Sequence, residues 1–219
     1  MDNFCVVVQG PSSHVDRIKL AFSGVPIIFS TWVGSEHHYK PDDIVVYNQY
    51  PSETGVGNAN YQKITTLSGL DKAKELGYTK ALKIRSDMIP TNLSEFLNLL
   101  SEDKLTLFSW HFVPGTNVKA YVVDYLMAGN IDDLIKMWSF NLAYTNIPET
   151  MLTKSIVTNF EDREVNYLIN KLTDENSIYW IKYNTYLSDY KDIKSTSWFT
   201  EMDMATNKDV VNIYKGLNI

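Results

Sequence analysis

Lys83, Arg85 and Asp87 alternate along the run Leu82-Lys83-Ile84-Arg85-Ser86-Asp87. Alternate side chains of a strand share a face, so two cations and an acid point one way while Leu82 and Ile84 point the other. Such charges are costly to bury unless they meet each other or a charged ligand. A diphosphate with a divalent metal would satisfy all three. Asp87 would supply a hard oxygen ligand, and Lys83 or Arg85 would meet phosphate oxygens or hold Asp87 in place. The alternative is an edge strand with a solvated, self-paired charged face.

Other segments offer ligand chemistry, each with a plain structural alternative. In Val8-Gln9-Gly10-Pro11, Gly10 allows close backbone approach and Gln9 offers an amide to a base edge; the alternative is a simple strand-to-helix turn. Trp32, closing Ile28-Phe29-Ser30-Thr31-Trp32, could stack on a base or sugar, or anchor a loop. Asn58, Asn60 and Gln62 open a helix, where amides could bind phosphate or ribose hydroxyls, or where Asn58 or Asn60 is merely the N-cap. Asp124 and Glu149 could act as general base or orient an acceptor hydroxyl. Equally, Asp124 could bond turn backbone and Glu149 complement a helix dipole.

Several chemistries lack support. No G-x-G-x-x-G or Walker pattern is present, and Gly55-Val56-Gly57 has neither a third glycine nor a preceding strand. The four histidines show no metal-ligand spacing, and no G-x-S-x-G elbow exists. The one cysteine, Cys5, lies in an apolar run, which excludes a disulfide framework and a cysteine zinc site and fits a reducing, cytoplasmic setting. A net charge of −6 and a pI of about 5.2 argue against a general nucleic-acid binder. No stretch of about 18 apolar residues suggests a membrane span, and Asp2 without a basic n-region argues against a signal peptide. Aromatic residues reach 13%, which fits either a bulky core or a site that stacks flat ligands.

The elements that must position these residues follow from the apolar pattern. Buried strands are expected over 4–8, 26–30 and 43–47, with a helix over 14–23 between the first two. A turn-rich loop spans 50–60, and a helix follows over about 61–76 with Gly77 as its stop. The charged strand 80–87 ends before Pro90, and a helix runs from 91 or 92 to about 100. Strands are expected over 105–109, 118–125 and 177–183, and helices over 131–142, 149–159 and 161–172. Trp138, Phe22 and Phe96 fall on helical stripes and read as core, whereas Trp32 and Trp110 read as lying just past strand ends. The fold class is a single α/β domain over 1–219, with a ligand-binding half over 1–110 and an acceptor-side half over 111–219.

One set of segments, in order, carries a family resemblance. It comprises Val7-Val8-Gln9-Gly10-Pro11, Ile28-Phe29-Ser30-Thr31-Trp32, Asn60-Tyr61-Gln62-Lys63-Ile64-Thr65-Thr66 with Ser68-Gly69-Leu70, Leu82-Lys83-Ile84-Arg85-Ser86-Asp87, Asp124-Tyr125-Leu126-Met127-Ala128-Gly129, Leu134-Ile135-Lys136-Met137-Trp138 and Pro148-Glu149. Over about residues 4–150 the chain resembles the WavE-type glycosyltransferases, associated with bacterial lipopolysaccharide synthesis, and similar domains of large algal viruses that glycosylate their own capsids.

The resemblance implies a GT-A-like fold with a Rossmann-like half that binds a nucleotide-sugar, a UDP-sugar being the favoured donor. It implies a glycan or glycoprotein acceptor, and Mn²⁺ or Mg²⁺ near an Asp-x-Asp-type site. Arg85-Ser86-Asp87 sits where that site is expected but places Arg85 where the first acid belongs, leaving Asp87 as metal ligand. Gln9, Gly10, Pro11, Trp32, Asn58, Asn60, Gln62, Lys83 and Arg85 would then surround the nucleotide. Asp124 and Glu149 would fall on the donor-sugar and acceptor side. The competing readings are a nucleotidyltransferase acting on sugar phosphates and a non-catalytic glycan-binding domain.

Overall fold

The computed structural model describes residues 3–11, 14–90, 100, 103–110, 121–141, 147–160, 164–170, 178–180, 194–196 and 202–205. Three largely apolar runs and the charge-alternating segment 80–85 form parallel strands. They are β1 (Phe4–Gln9), β2 (Ile27–Trp32), β3 (Ile44–Asn48) and β4 (Lys80–Arg85). Runs of this kind suit strands covered on both faces. Helix α1 (Val15–Ala21) links β1 to β2, and α2 (Ala59–Glu75) returns the chain from β3 to β4.

Four further strands widen the sheet. These are β6 (Leu105–Trp110), β7 (Tyr121–Asn130), β8 (Val165–Asn170) and β11 (Met202–Ala205), and the spatial order is β11-β8-β6-β7-β4-β1-β2-β3. Strand β7 runs antiparallel to both β4 and β6, and β8 runs parallel to β6. Strands β5 (Met88–Pro90), β9 (Ile178–Trp180) and β10 (Lys194–Thr196) form a second, three-stranded sheet. The expected α/β class, a mixed central sheet flanked by helices, is the one observed, and strands from both halves of the chain share it.

Alternation along the strands divides the core. Val6, Val8, Phe29, Leu82 and Ile84 pack with Ile18 of α1 and with Phe22 just after it on one face. Cys5, Val7, Ile28 and Ala81 pack on the other face beneath α2, α3 (Ile131–Trp138) and α4 (Pro148–Asn159), with Trp138 fully buried among them. Burial of such side chains contributes about 1.5–3 kcal/mol each. Burial also pushes the Cys5 thiol up to about 12, so it stays a core hydrophobe. Gly69 lets α2 sit close on the sheet, because a Cβ there would lie 2.6 Å from Val7 Cγ1 and 3.0 Å from Ser30 Cβ.

Several expectations need correction. The segment expected as a helix over 161–172 holds β8 instead. Its Val-Asn-Tyr-Leu-Ile-Asn run is rich in β-formers, and parallel pairing along all of β6 outweighs its helical spacing. The strand expected over 118–125 is Tyr121–Asn130, so Asp124 lies within it and not at its end. Gly129 lies within β7 and lets it approach Leu105, whose Cα would be 3.1 Å from an added Cβ. The chain leaves β4 after Arg85, turns at 86–87 and enters the second sheet through Pro90. Trp32 and Trp110 are the last residues of their strands, not residues beyond them. Phe22 and Trp138 are core as expected, while the helix over 91–100 and Phe96 lie outside the described residues. Among the described residues, no helix is long and apolar enough to cross a membrane.

Candidate functional site

The strand order reverses next to β1. The chain moves outward from β1 to β2 and β3, then α2 carries it back to β4 on the other side of β1. Ligands of open α/β sheets bind at such switch points, beyond the carboxyl ends of the strands. Gln9 and Arg85, the last residues of β1 and β4, are register partners there. Gly10 follows at φ +119°, and a Cβ on it would lie 2.8 Å from Ser86 Oγ, so a side chain at this position would close the crevice.

A cavity of about 470 Å³ opens at this point. Of the residues singled out from the sequence, Gln9, Gly10, Pro11, Trp32, Asn58, Gln62, Arg85 and Asp87 line it. Tyr50, Tyr61 and Ser86 line it too, and sequence reasoning did not find them. Tyr50 lies two residues past β3 and Tyr61 in the first turn of α2; proximity to a strand end and a helix start was their only signal.

Lys83, Asn60, Asp124 and Glu149 are not among the lining residues. Asn60 is fully buried and its amide donates to the Glu53 carbonyl at 3.3 Å, a role in holding the preceding loop. Asn58 has left-handed backbone, φ +61°, and makes no side-chain cap to α2. Lys83 does share a strand face with Arg85, but α3 roofs that face. Its ammonium donates to the Asp124 carbonyl and lies 4.6 Å from the Trp138 ring centre. Burial, opposed by the charge of Asp124, pulls Lys83 down to about 7. The Lys83 amine is thus turned toward Asp124 and Trp138 and away from the cavity lining.

Arg85 organises the charges. Its Nε donates to Asp87 Oδ1 at 2.9 Å and Nη2 to Asp87 Oδ2 at 2.6 Å, while Nη1 reaches Asp124 Oδ2 at 3.3 Å. Burial works against its charge, yet Asp124 and Asp87 together hold its pKa above the ordinary value. Asp124 Oδ1 is buried with no hydrogen-bond partner. Glu149, in the first turn of α4, belongs to the same electrostatic cluster. Burial first, then the Asp124 charge, push its carboxyl up to about 7, with Arg85 and Lys83 opposing.

This arrangement bears on the expected Mn²⁺ or Mg²⁺. Asp87 is the one carboxylate among the described lining residues, and Arg85 holds both of its oxygens. Among the described residues, no three His, Cys, Asp or Glu side chains are grouped to hold a metal. The described side chains do not fit an ion held by protein ligands.

The polar lining is short of donors. Gln9 Oε1 and Gln62 Oε1 are both buried without hydrogen-bond partners. Gln62 Nε2 donates to the Gly57 carbonyl at 3.4 Å, which leaves its oxygen turned elsewhere. Buried acceptors of this kind are costly unless a ligand or water donates to them.

No protein-family model matches the chain, and no curated protein matches it in sequence. Among solved structures, a protein assigned as a nucleotide-diphospho-sugar transferase from Desulfovibrio desulfuricans G20 is similar with a TM-score of 0.52 at 13% identity, over 77% of this chain and 80% of that one. The chain has a GT-A-like fold. A glycosyltransferase involved in the glycosylation of the major capsid of PBCV-1 is similar at TM-score 0.45 and 13% identity, over 76% of this chain and 82% of that one. A glucose-1-phosphate thymidylyltransferase from Bacillus anthracis is similar at TM-score 0.44 and 8% identity, over 77% and 87%. At these identities the likeness concerns the fold, and the chemistry must be argued from the site.

Proposed function

We propose that the chain is a glycosyltransferase of the WavE-like kind, which moves a sugar from a nucleotide-diphospho-sugar to a glycan or glycoprotein acceptor. The carrying observation is the cavity at the β1/β4 switch point, lined by Arg85 and by Gln9 and Gln62, whose amide oxygens are buried without partners. A nucleotide-sugar complements this lining: its diphosphate suits Arg85, and its base and ribose bring N–H and O–H groups to the Gln9 and Gln62 side of the cavity. UDP is the favoured nucleotide by the resemblance alone.

The chemistry follows from charge. Negative charge grows on the diphosphate as the glycosidic bond breaks. Arg85, already oriented by Asp87 and Asp124, would stabilise that charge most in the transition state without reorganising. Glu149, outside the cavity lining but in the same charge cluster as Arg85, is the carboxylate we assign as base for an acceptor hydroxyl. Metal dependence is left out of this proposal because Arg85 already holds Asp87 through both oxygens.

A thermal-shift panel of nucleoside diphosphates and nucleotide-sugars, with and without Mn²⁺, tests the reading. A ligand at 100 times its Kd adds about 2.7 kcal/mol of stability. A panel in which no nucleoside diphosphate raises the melting temperature would contradict it, and sugar binding indifferent to nucleotide would favour a glycan-binding domain.

A further inference from the structure

The expected stacking platform, Trp32, is not available as such. It is only 3% exposed. The Tyr50 ring lies parallel against it, with centroids 4.6 Å apart and planes at 15°, and the Tyr61 ring leans on both at 4.8 and 5.6 Å. Tyr50 itself is 56% exposed although one face rests on Trp32, and it lines the cavity. An exposed aromatic ring held flat by a buried partner loses little freedom when a second ring stacks on it.

The neighbouring polar atoms say which part of a ligand belongs here. Gln9 and Gln62 line the same cavity, and their amide oxygens are buried without donors. Such acceptors repel phosphate oxygens and call for N–H or O–H groups, which a base and a ribose carry. We infer that Tyr50, backed by Trp32, is the surface on which the nucleobase of the donor stacks. The inference rests on the nucleotide-sugar reading and adds to it a binding residue and an orientation: nucleoside against Tyr50, diphosphate toward Arg85.

The experiment compares the wild-type chain with Tyr50→Ala and Tyr50→Phe by isothermal titration against UDP, GDP, ADP, CDP, dTDP and inorganic pyrophosphate. Circular dichroism confirms that each variant is folded. In the wild type, at least one nucleoside diphosphate should bind more tightly than pyrophosphate. Tyr50→Ala should weaken that nucleotide about tenfold or more, within the range of base–aromatic stacking. It should leave pyrophosphate affinity unchanged, and Tyr50→Phe should stay within about twofold of wild type because stacking does not need the hydroxyl. Equal nucleotide affinity in wild type and Tyr50→Ala would overturn the role of Tyr50 while leaving the nucleotide-sugar reading in place. A parallel loss of pyrophosphate affinity in Tyr50→Ala would also overturn it, because the residue would then act on the whole site. Wild-type protein that binds none of the nucleotides would overturn both.

Discussion

Arg85 grips Asp87, two residues further along the chain, through a two-point fork of 2.9 and 2.6 Å. The fork is possible because β4 ends at Arg85 and the turn at 86–87 folds Asp87 back beside the guanidinium. Arg85 lines the cavity at the switch point, with Asp124 on another of its nitrogens.

Breaking the fork should disable turnover without unfolding the chain. Asp87→Asn removes one carboxylate charge and one acceptor oxygen. Arg85→Lys keeps the charge but lacks the planar pair of donors. Each variant is expected to lower kcat/KM by about a hundredfold or more, the scale of losing one oriented donor to a developing oxyanion. Steady-state kinetics beside a melting curve separate this from misfolding. Wild-type turnover in Asp87→Asn would remove Asp87 from the site.

Chelation gives a second test. Arg85 already takes both Asp87 oxygens, so nucleotide affinity measured with 1 mM-scale EDTA should match that measured without it to within about twofold. Loss of binding in EDTA, restored by Mn²⁺, would show that a cation displaces the Arg85–Asp87 pair.

Glu149 ties stability and activity to pH. Its folded pKa is raised to about 7 from 4.5. The folded state therefore binds more protons than the unfolded state between those values, and the contribution of Glu149 to stability falls as pH rises through that window. Glu149→Gln should flatten this part of the curve, so its melting temperature gains on wild type between pH 5 and pH 8. As general base, Glu149 should also give kcat an ascending limb near pH 7 that Glu149→Gln lacks. A limb unchanged in the variant would assign the base elsewhere.

Gly69 tests the packing that holds α2 on the sheet. Gly69→Ala would force its methyl to within 2.6 Å of Val7 Cγ1 and 3.0 Å of Ser30 Cβ. Overpacking of this kind costs about 1–3 kcal/mol, and it should outweigh the gain in helix propensity of up to about 1 kcal/mol. The melting temperature should fall by several degrees. A rise would mean that the helix moves away from the sheet at little cost.

The first half of the chain was legible because most of its parallel strands are short, largely apolar runs bounded by turn residues, as in Val6-Val7-Val8-Gln9-Gly10. The period-2 argument placed Lys83 and Arg85 on one face, as observed, but could not show that Trp138 roofs one and the cavity opens beside the other. Which helix covers which stretch of strand is a long-range fact. The same limit hid Tyr50, whose role depends on stacking across the fold against Trp32. At 165–170 local spacing suggested a helix, and pairing with β6 decided for a strand.

The most direct measurement is product identity after incubation of the chain with a panel of nucleotide-sugars and a glycan acceptor. Release of a nucleoside diphosphate together with a sugar added to the acceptor, both lost in Asp87→Asn, is the predicted result. Release of a nucleoside monophosphate together with a sugar phosphate would instead mark a diphosphate-cleaving enzyme, and pyrophosphate formed only from a nucleoside triphosphate and a sugar 1-phosphate would mark a nucleotidyltransferase; either would contradict glycosyl transfer.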